Sequence, residues 1–263
     1  MNDKGEKEMK IGWCSNISNI ALAQRLGFDY LEGIASAVAA MDDGEFARTR
    51  GLVTESPVKT EAFCVMFGGG IPLTGEDASL SAADEYIARL YERLSLLGGR
   101  VAVFGSGGAR RVPDGFDRER AFEQLVELGG LMGRRAAENG LTVALEPLNS
   151  AECNIITSSR EGARLVEAVA HPNFRLLLDM YHMGRENEDL TLAGELAPLV
   201  AHTHIAHPVT RHNPVPGDEG GYERFISALK AGGYDARVSF EGSCGDPEAM
   251  LPQTLAYLRS LAQ

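Results

Sequence analysis

What this chain lacks limits what it can be. It has no paired cysteines: Cys14, Cys64, Cys153 and Cys244 are spread through the sequence without a CxxC, so neither a disulfide framework nor a zinc ribbon is indicated. Four reduced thiols in a cytoplasmic protein are the expectation. Positive charge is also scarce, with 25 Lys and Arg against 37 Asp and Glu and a formal net charge of -12. Nucleic acid and anionic membrane surfaces both select for clustered cations, so neither is expected as a partner. No apolar run approaches the ~20 residues of a membrane span, and Met1 to Lys10 is polar and charged where an export signal would be apolar. The GxGxxG turn of a dinucleotide-binding sheet is missing after the first strand, and no GxxxxGK follows any other. What remains is a small neutral or metal-held substrate.

With 263 residues and 44% hydrophobic content, the chain can bury one full core. Its organising stretch is Leu141 to Met183. An apolar run, Leu141-Thr142-Val143-Ala144-Leu145, delivers Glu146, and a second, Phe174-Arg175-Leu176-Leu177-Leu178, delivers Asp179. Between them residues 159–170 have helical spacing, with Ala163, Leu165, Val166 and Val169 on one face. Strand, helix, strand is a βαβ unit, the building block of parallel sheets.

The alternation continues in both directions. Strands are predicted over 9–14, 28–32, 58–67, 101–104, 200–205 and 237–240, and helices over 19–26, 45–53, 79–97, 118–139, 189–199, 222–231 and 247–261. Eight strands alternating with helices, uninterrupted by a linker or a repeat, predict a closed parallel barrel over residues 9–263 behind a flexible tail at 1–8. Gly68-Gly69-Gly70 and Gly105-Ser106-Gly107-Gly108 are expected as flexible loops, and the Pro- and Gly-rich segment 207–221 is long enough to be an active-site loop. Trp13 fits either core packing or an apolar wall at a pocket.

Barrels of this kind keep their chemistry where the strands stop. Side chains alternate between faces along a strand, so Glu146 shares its face with Ala144, Glu241 with Ser239 and His204 with His202, while the bulky apolar residues take the side under the helices. Glu146, Asp179, His204 and Glu241 therefore converge at one barrel mouth. Three bare carboxylates would repel one another and hold protons, and a divalent cation resolves that conflict. Mostly oxygen ligands, one imidazole and no thiolate favour Mn²⁺, Mg²⁺ or Co²⁺. His202 and His207 are expected in the core or behind the site, His171 at a helix end and His212 on the loop.

Glu146-Pro147-Leu148-Asn149-x-x-Glu152, Asp179-x-x-His182, His202-Thr203-His204 with Arg211 and Pro216-Gly217, and Ser239-Phe240-Glu241 together resemble the sugar isomerase and epimerase family of xylose isomerase-like barrels, in particular ketose 3-epimerases of the tagatose and psicose (allulose) type. The resemblance covers nearly the whole chain. It implies an α/β fold with a single (β/α)8 TIM barrel, a Mn²⁺-type metal held by Glu146, Asp179, His204 and Glu241, and a small sugar bound at its carbonyl end by Glu152, His182 and Arg211. A homodimer or tetramer is implied as well. The implied reaction inverts C3 of a ketose through an enediolate, with Glu146 and Glu241 as the two bases on opposite faces of the sugar. An aldose-ketose isomerase of the hydroxypyruvate type and an inosose-type dehydratase begin with the same proton abstraction and stand as alternatives. No Lys or Arg cluster accompanies Gly242-Ser243-Cys244-Gly245, where barrels often hold phosphate, so an unphosphorylated sugar is expected.

Overall fold

Eight strands close on one another in the computed structural model, which describes residues 8–263. They are β1 (Lys10–Cys14), β2 (Tyr30–Ile34), β3 (Lys59–Cys64), β4 (Val101–Phe104), β5 (Thr142–Leu145), β6 (Phe174–Asp179), β7 (Val200–Ile205) and β8 (Arg237–Phe240). Each pairs in parallel with the next, and β8 returns to pair with β1, so no edge is left. The result is the TIM barrel expected from the alternation. The tail expected over residues 1–8 lies, for residues 1–7, outside the described residues.

The helices begin where a side chain can satisfy the free N–H groups of a first turn. Ser79 caps Leu80–Leu96, Asp117 caps Arg118–Glu138, Ser158 caps Ser159–Val169 and Asp246 caps Pro247–Ala262. Asp42 and Glu45 cap each other's backbone at the start of Asp43–Glu55. Leu192–Leu196 and Tyr222–Ala231 complete the ring between β6 and β8.

Strand alternation separates two cores. Tyr30, Ala62, Cys64, Val103, Ala144 and Leu177 pack inside the barrel, while Ile11, Phe63, Phe104, Val143, Leu178 and Phe240 pack under the helices. The Tyr30 ring lies across the interior where a Cβ on Gly12 would stand, 2.2 Å from its nearest ring carbon, and its hydroxyl is 2.7 Å from Ser239 Oγ. At the N-terminal end, Glu61 binds Arg237 Nε at 2.8 Å and Lys10 Nζ at 2.5 Å. That end is sealed by ion pairs, and the opposite mouth is left for chemistry. Among the described residues no helix is long and apolar enough to cross a membrane.

Three local expectations change, and the choice left open at Trp13 is decided. β2 runs past Glu32 to Ile34, so that acid sits inside the barrel wall rather than at the strand's end. The glycine segment after β4 is a helical turn, Gly107–Arg110. Residues 189–199 form the short helix Leu192–Leu196 and a 3-10 turn, while Met180–Arg185 makes an unanticipated turn capped by Asp179. Trp13 stacks on Phe28 at 6.0 Å between ring centres on the helical side of β1, which makes it core and not a pocket wall.

Candidate active site and metal centre

The C-terminal ends of β5 to β8 bring four groups to one point. Glu146 and Glu241 directly follow β5 and β8, Asp179 ends β6, and His204 is one residue from the end of β7. One ligand atom from each lies within 4.8 Å of the other three. His204 Nδ1 is at the centre, 3.1 Å from Glu146 Oε1, 3.4 Å from Glu241 Oε2 and 3.9 Å from Asp179 Oδ2. The convergence deduced from alternation is what the barrel builds.

The opposite edge of that imidazole is held by a residue to which the sequence reading gave no role. Glu32, fully buried, has one carboxylate oxygen 3.0 Å from His204 Nε2 and the other 2.7 Å from His202 Nε2. A carboxylate accepts only, so both Nε2 atoms carry protons; Nδ1 of His204, which faces the Glu146 and Glu241 carboxylates, is protonated as well in the metal-free protein and becomes a ligand atom once that proton leaves. A signal for Glu32 existed: in Tyr30-Leu31-Glu32 the acid shares the inward face with Tyr30, inside a strand buried on both sides.

The mouth is lined by the other residues that the sequence singled out. His182 Nδ1 accepts from the backbone N–H of Asn149 at 3.1 Å, so the proton of a neutral ring sits on Nε2. That Nε2 has no hydrogen-bond partner and faces Asp179 Oδ2 at 3.6 Å and Glu146 Oε1 at 4.0 Å. Glu152 Oε1 accepts from Asn149 Nδ2 at 2.9 Å and lies 3.6 Å from Arg211 Nη1. Arg211 adopts a left-handed backbone (φ 56°) that turns the loop back over the site, and its Nη2 donates to Glu241 Oε2 at 2.6 Å. Its guanidinium also stacks over Tyr181, 4.7 Å from the ring centre.

Behind Glu146 stands a second support that the sequence did not announce. Arg110, fully buried, donates to the carbonyls of Phe104, Glu146 and Ile156 at 3.3, 2.9 and 3.4 Å, tying the end of β4 to the chain after β5. A Cβ on Gly105 would stand 2.3 Å from Glu146 Oε2. The glycine there makes room for the carboxylate. The segment 105–110 thus serves Glu146, and neither the flexible loop expected nor a phosphate cradle describes it. His171 accepts from Asn173 N in the turn before β6, and His207 stacks on His212 at 4.5 Å between ring centres in the loop after β7.

The electrostatics reflect crowded acids. Burial raises Asp179, His182 offsets part of that, and Glu146 and Glu241 push it further, to about 6. Burial also raises Glu241, but the charge and hydrogen bond of His204 and the charge of Arg211 outweigh it and leave the carboxyl at about 2. His204 is pulled down by burial and then carried well above the usual imidazole range by Glu32, Glu241 and Glu146. His202 stays below that range, because burial exceeds its attraction to Glu32.

Two buried atoms point into this space without a hydrogen-bond partner, Asp179 Oδ2 and His182 Nε2. Buried polar atoms are normally paired, and an orphaned carboxylate oxygen beside two further carboxylates and an imidazole nitrogen suits a cation, which would take the place of the proton on that ring. The Glu146, Asp179, His204 and Glu241 cluster is consistent with a divalent metal site with hard, mainly oxygen ligands.

The profile of the xylose isomerase-like TIM barrel family matches residues 20–261. An L-ribulose 3-epimerase from Methylomonas sp. (strain DH-1) is 26% identical over 250 residues, covering 92% of this chain and 84% of that protein. A 3-dehydro-D-guloside 4-epimerase from Escherichia coli (strain K12) is 27% identical over 223 residues, covering 79% and 82%. Among solved structures, a D-allulose 3-epimerase from Methylomonas sp. superposes with a TM-score of 0.83 at 22% identity, covering 97% of this chain and 99% of its own. That last likeness is one of fold.

Proposed function

The chain belongs to the xylose isomerase-like TIM barrel family, and we propose that within it this protein is a metal-dependent ketose 3-epimerase acting on an unphosphorylated sugar. The observation that supports the reading is that two glutamates, Glu146 after β5 and Glu241 after β8, reach one imidazole nitrogen from strands separated by β6 and β7. Two carboxylates that reach a substrate from opposite sides are what inversion of a carbon requires.

Glu146, Asp179, His204 and Glu241 would hold a divalent cation of the Mn²⁺ class, with Mg²⁺ or Co²⁺ as alternatives, which would polarise the sugar's carbonyl end and acidify the neighbouring C–H bond. One glutamate removes the C3 proton, giving an enediolate. The other returns a proton to the opposite face. His182, through its partnerless Nε2–H, and Arg211, through its guanidinium, donate to the oxygen that gains charge. Arg211 must let go of Glu241 for that carboxylate to move a proton, and substrate oxygens are the natural replacement partners. Glu152, at the mouth beside Arg211, binds a sugar hydroxyl. The charge of the site supports a small uncharged ligand, since Arg211 is already engaged by Glu241, Glu152 and Asp179, and buried Arg110 by backbone carbonyls. On this reading residues 9–263 form a single catalytic domain of a cytoplasmic homo-oligomer.

The relative from Escherichia coli that acts as a 4-epimerase favours a second reading, in which the same pair inverts the neighbouring carbon. Aldose-ketose isomerase and dehydratase outcomes use the same first proton transfer. Proton NMR in D₂O separates them, with the protein stripped of metal, reloaded with Mn²⁺ and offered fructose, psicose, tagatose and a hydroxypyruvate-sized substrate. Metal-dependent deuterium entry at C3 with a new C3 epimer is the expected result. Exchange at C1, or at C2 of an aldose product, in its place would replace the 3-epimerase reading with an isomerase, and exchange at C4 of a 3-keto sugar offered alongside them, whose C4 adjoins the carbonyl, would replace it with a 4-epimerase.

A further inference from the structure

Glu241 turns its two oxygens toward different neighbours. Oε2 faces His204 and Arg211, whereas Oε1 lies 4.0 Å from the thiol of Cys14. Cys14 ends β1 and Cys64 ends β3, and their sulfurs meet inside the barrel at 3.1 Å. Cys64 is buried, while Cys14 and Glu241 are partly exposed at the mouth, so the group has a path to solvent.

We propose that Cys14, Cys64 and Glu241 form a second cation site, selective for a thiophilic divalent ion of the zinc or cadmium class and joined to the first site by the shared carboxylate. The three ligand atoms lie within 4.8 Å of one another. Two sulfurs at ~2.3 Å from one tetrahedral ion stand about 3.8 Å apart, and a sulfur and a carboxylate oxygen about 3.6 Å apart. The thiols therefore part by roughly 0.7 Å and Glu241 Oε1 closes by roughly 0.4 Å to seat an ion, shifts within reach of side-chain rotation. A disulfide is the poorer fit. β2 lies between β1 and β3, so the two backbones are not neighbours in the wall, whereas bridged residues need Cα atoms only ~4.4–6.8 Å apart. Binding exchanges the ion for two thiol protons, which leave to solvent. A consequence that rests on the epimerase reading is inhibition: an ion on Oε1 pins Glu241 and removes one of the two bases.

The test titrates the Mn²⁺-loaded protein with Cd²⁺ in a non-thiol reductant, following the ultraviolet sulfur-to-cadmium charge-transfer band, proton release and free Mn²⁺ together. A band that saturates at one equivalent with about two protons released per ion is expected. It should disappear in Cys14→Ser/Cys64→Ser and persist in Cys153→Ser/Cys244→Ser. Cys14→Ser alone, at the partly exposed position, should lose at least half of it. No band in the wild-type protein, Mn²⁺ displacement without a band, or a band that survives the double substitution would overturn the site. Turnover is read in the same titration. A band without inhibition keeps the cation site and removes Glu241 from the two-base scheme.

Discussion

Replacing Glu32 by Gln tests whether the centre depends on a residue that touches neither the proposed metal nor the sugar. The carboxylate accepts from His202 Nε2 at 2.7 Å and His204 Nε2 at 3.0 Å with no solvent access. An amide has the same shape but only one oxygen, so either orientation turns an N–H toward one of the two imidazoles. Facing His204, it drives that ring's proton onto Nδ1, the atom that must be free to bind an ion. Facing His202, it moves that ring's proton to a buried Nδ1 that has no partner. In both cases the negative charge that makes His204 a strong ligand is gone. Hydrogen bonds to charged groups contribute ~1.5–3 kcal/mol each, and loss of such a supporting partner commonly weakens metal binding by ~10–100-fold. Glu32→Gln should therefore lower Mn²⁺ affinity by about 10–100-fold, or ~1.4–2.7 kcal/mol, while circular dichroism shows the barrel intact. Isothermal titration of metal-stripped protein measures it directly. Affinity within about twofold of wild type would refute the assignment of the His204 tautomer to Glu32.

Other consequences follow from the same geometry. Glu146→Gln and Glu241→Gln should each lower turnover by at least ~100-fold, the contribution usual for a positioned acid or base, and turnover persisting in both would defeat the two-base scheme. Metal affinity should rise with pH. In the metal-free protein Asp179 keeps its proton up to about 6 and His204 well above the usual imidazole range, and both protons must leave for these atoms to ligate. A displaced proton costs about tenfold in affinity per pH unit below its own pKa, so between pH 7.5 and 5.5 Asp179 contributes about fourfold and His204 the larger share; titrations at the two pH values should differ by tenfold or more, and equal affinities would count against both as ligands. Gly105→Ala should displace the Glu146 carboxylate, which is the movable end of a side chain, and so impair metal binding and turnover far more than the melting temperature. A loss of stability with intact kinetics would show that the glycine serves packing instead.

Periodicity made most of the fold readable. The predicted spans for β4, β7 and β8 match their observed bounds, β4 as a short apolar run and β7 and β8 as short segments that alternate inward polar with outward apolar residues, and the long helices end within a few residues of their predicted limits. Met180–Arg185 escaped because it follows directly from a strand: its cap, Asp179, is also the last residue of β6, and a residue that ends one element and starts the next leaves no gap in the pattern. The gathering of Glu146, Asp179, His204 and Glu241 was legible for a physical reason. Polar groups at the C-terminal ends of buried strands have nowhere to go but the mouth.

The pairing of Glu32 with His202 and His204 and the Cys14–Cys64 contact were not legible, and the reason is the same for both. Alternation tells which side chains point inward, but barrel closure and strand stagger decide which inward residues share a level. Glu32 sits on β2 and its partners on β7, nearly opposite in an eight-stranded wall, while Cys14 and Cys64 meet across the width of β2. Neither pairing is encoded in a local pattern. The inner layers of the barrel nevertheless form a continuous polar chain, from the Tyr30 hydroxyl to Ser239, from Ser239 Oγ to His202 Nε2 at 3.4 Å, and through Glu32 to His204 at the mouth. A barrel interior that needed only stability would be filled with branched apolar side chains at these positions. Burying an acid and two imidazoles there costs desolvation that the hydrogen bonds offset only when all members are present. The arrangement is consistent with a chain that gives up core stability to fix which nitrogen of His204 faces the pocket.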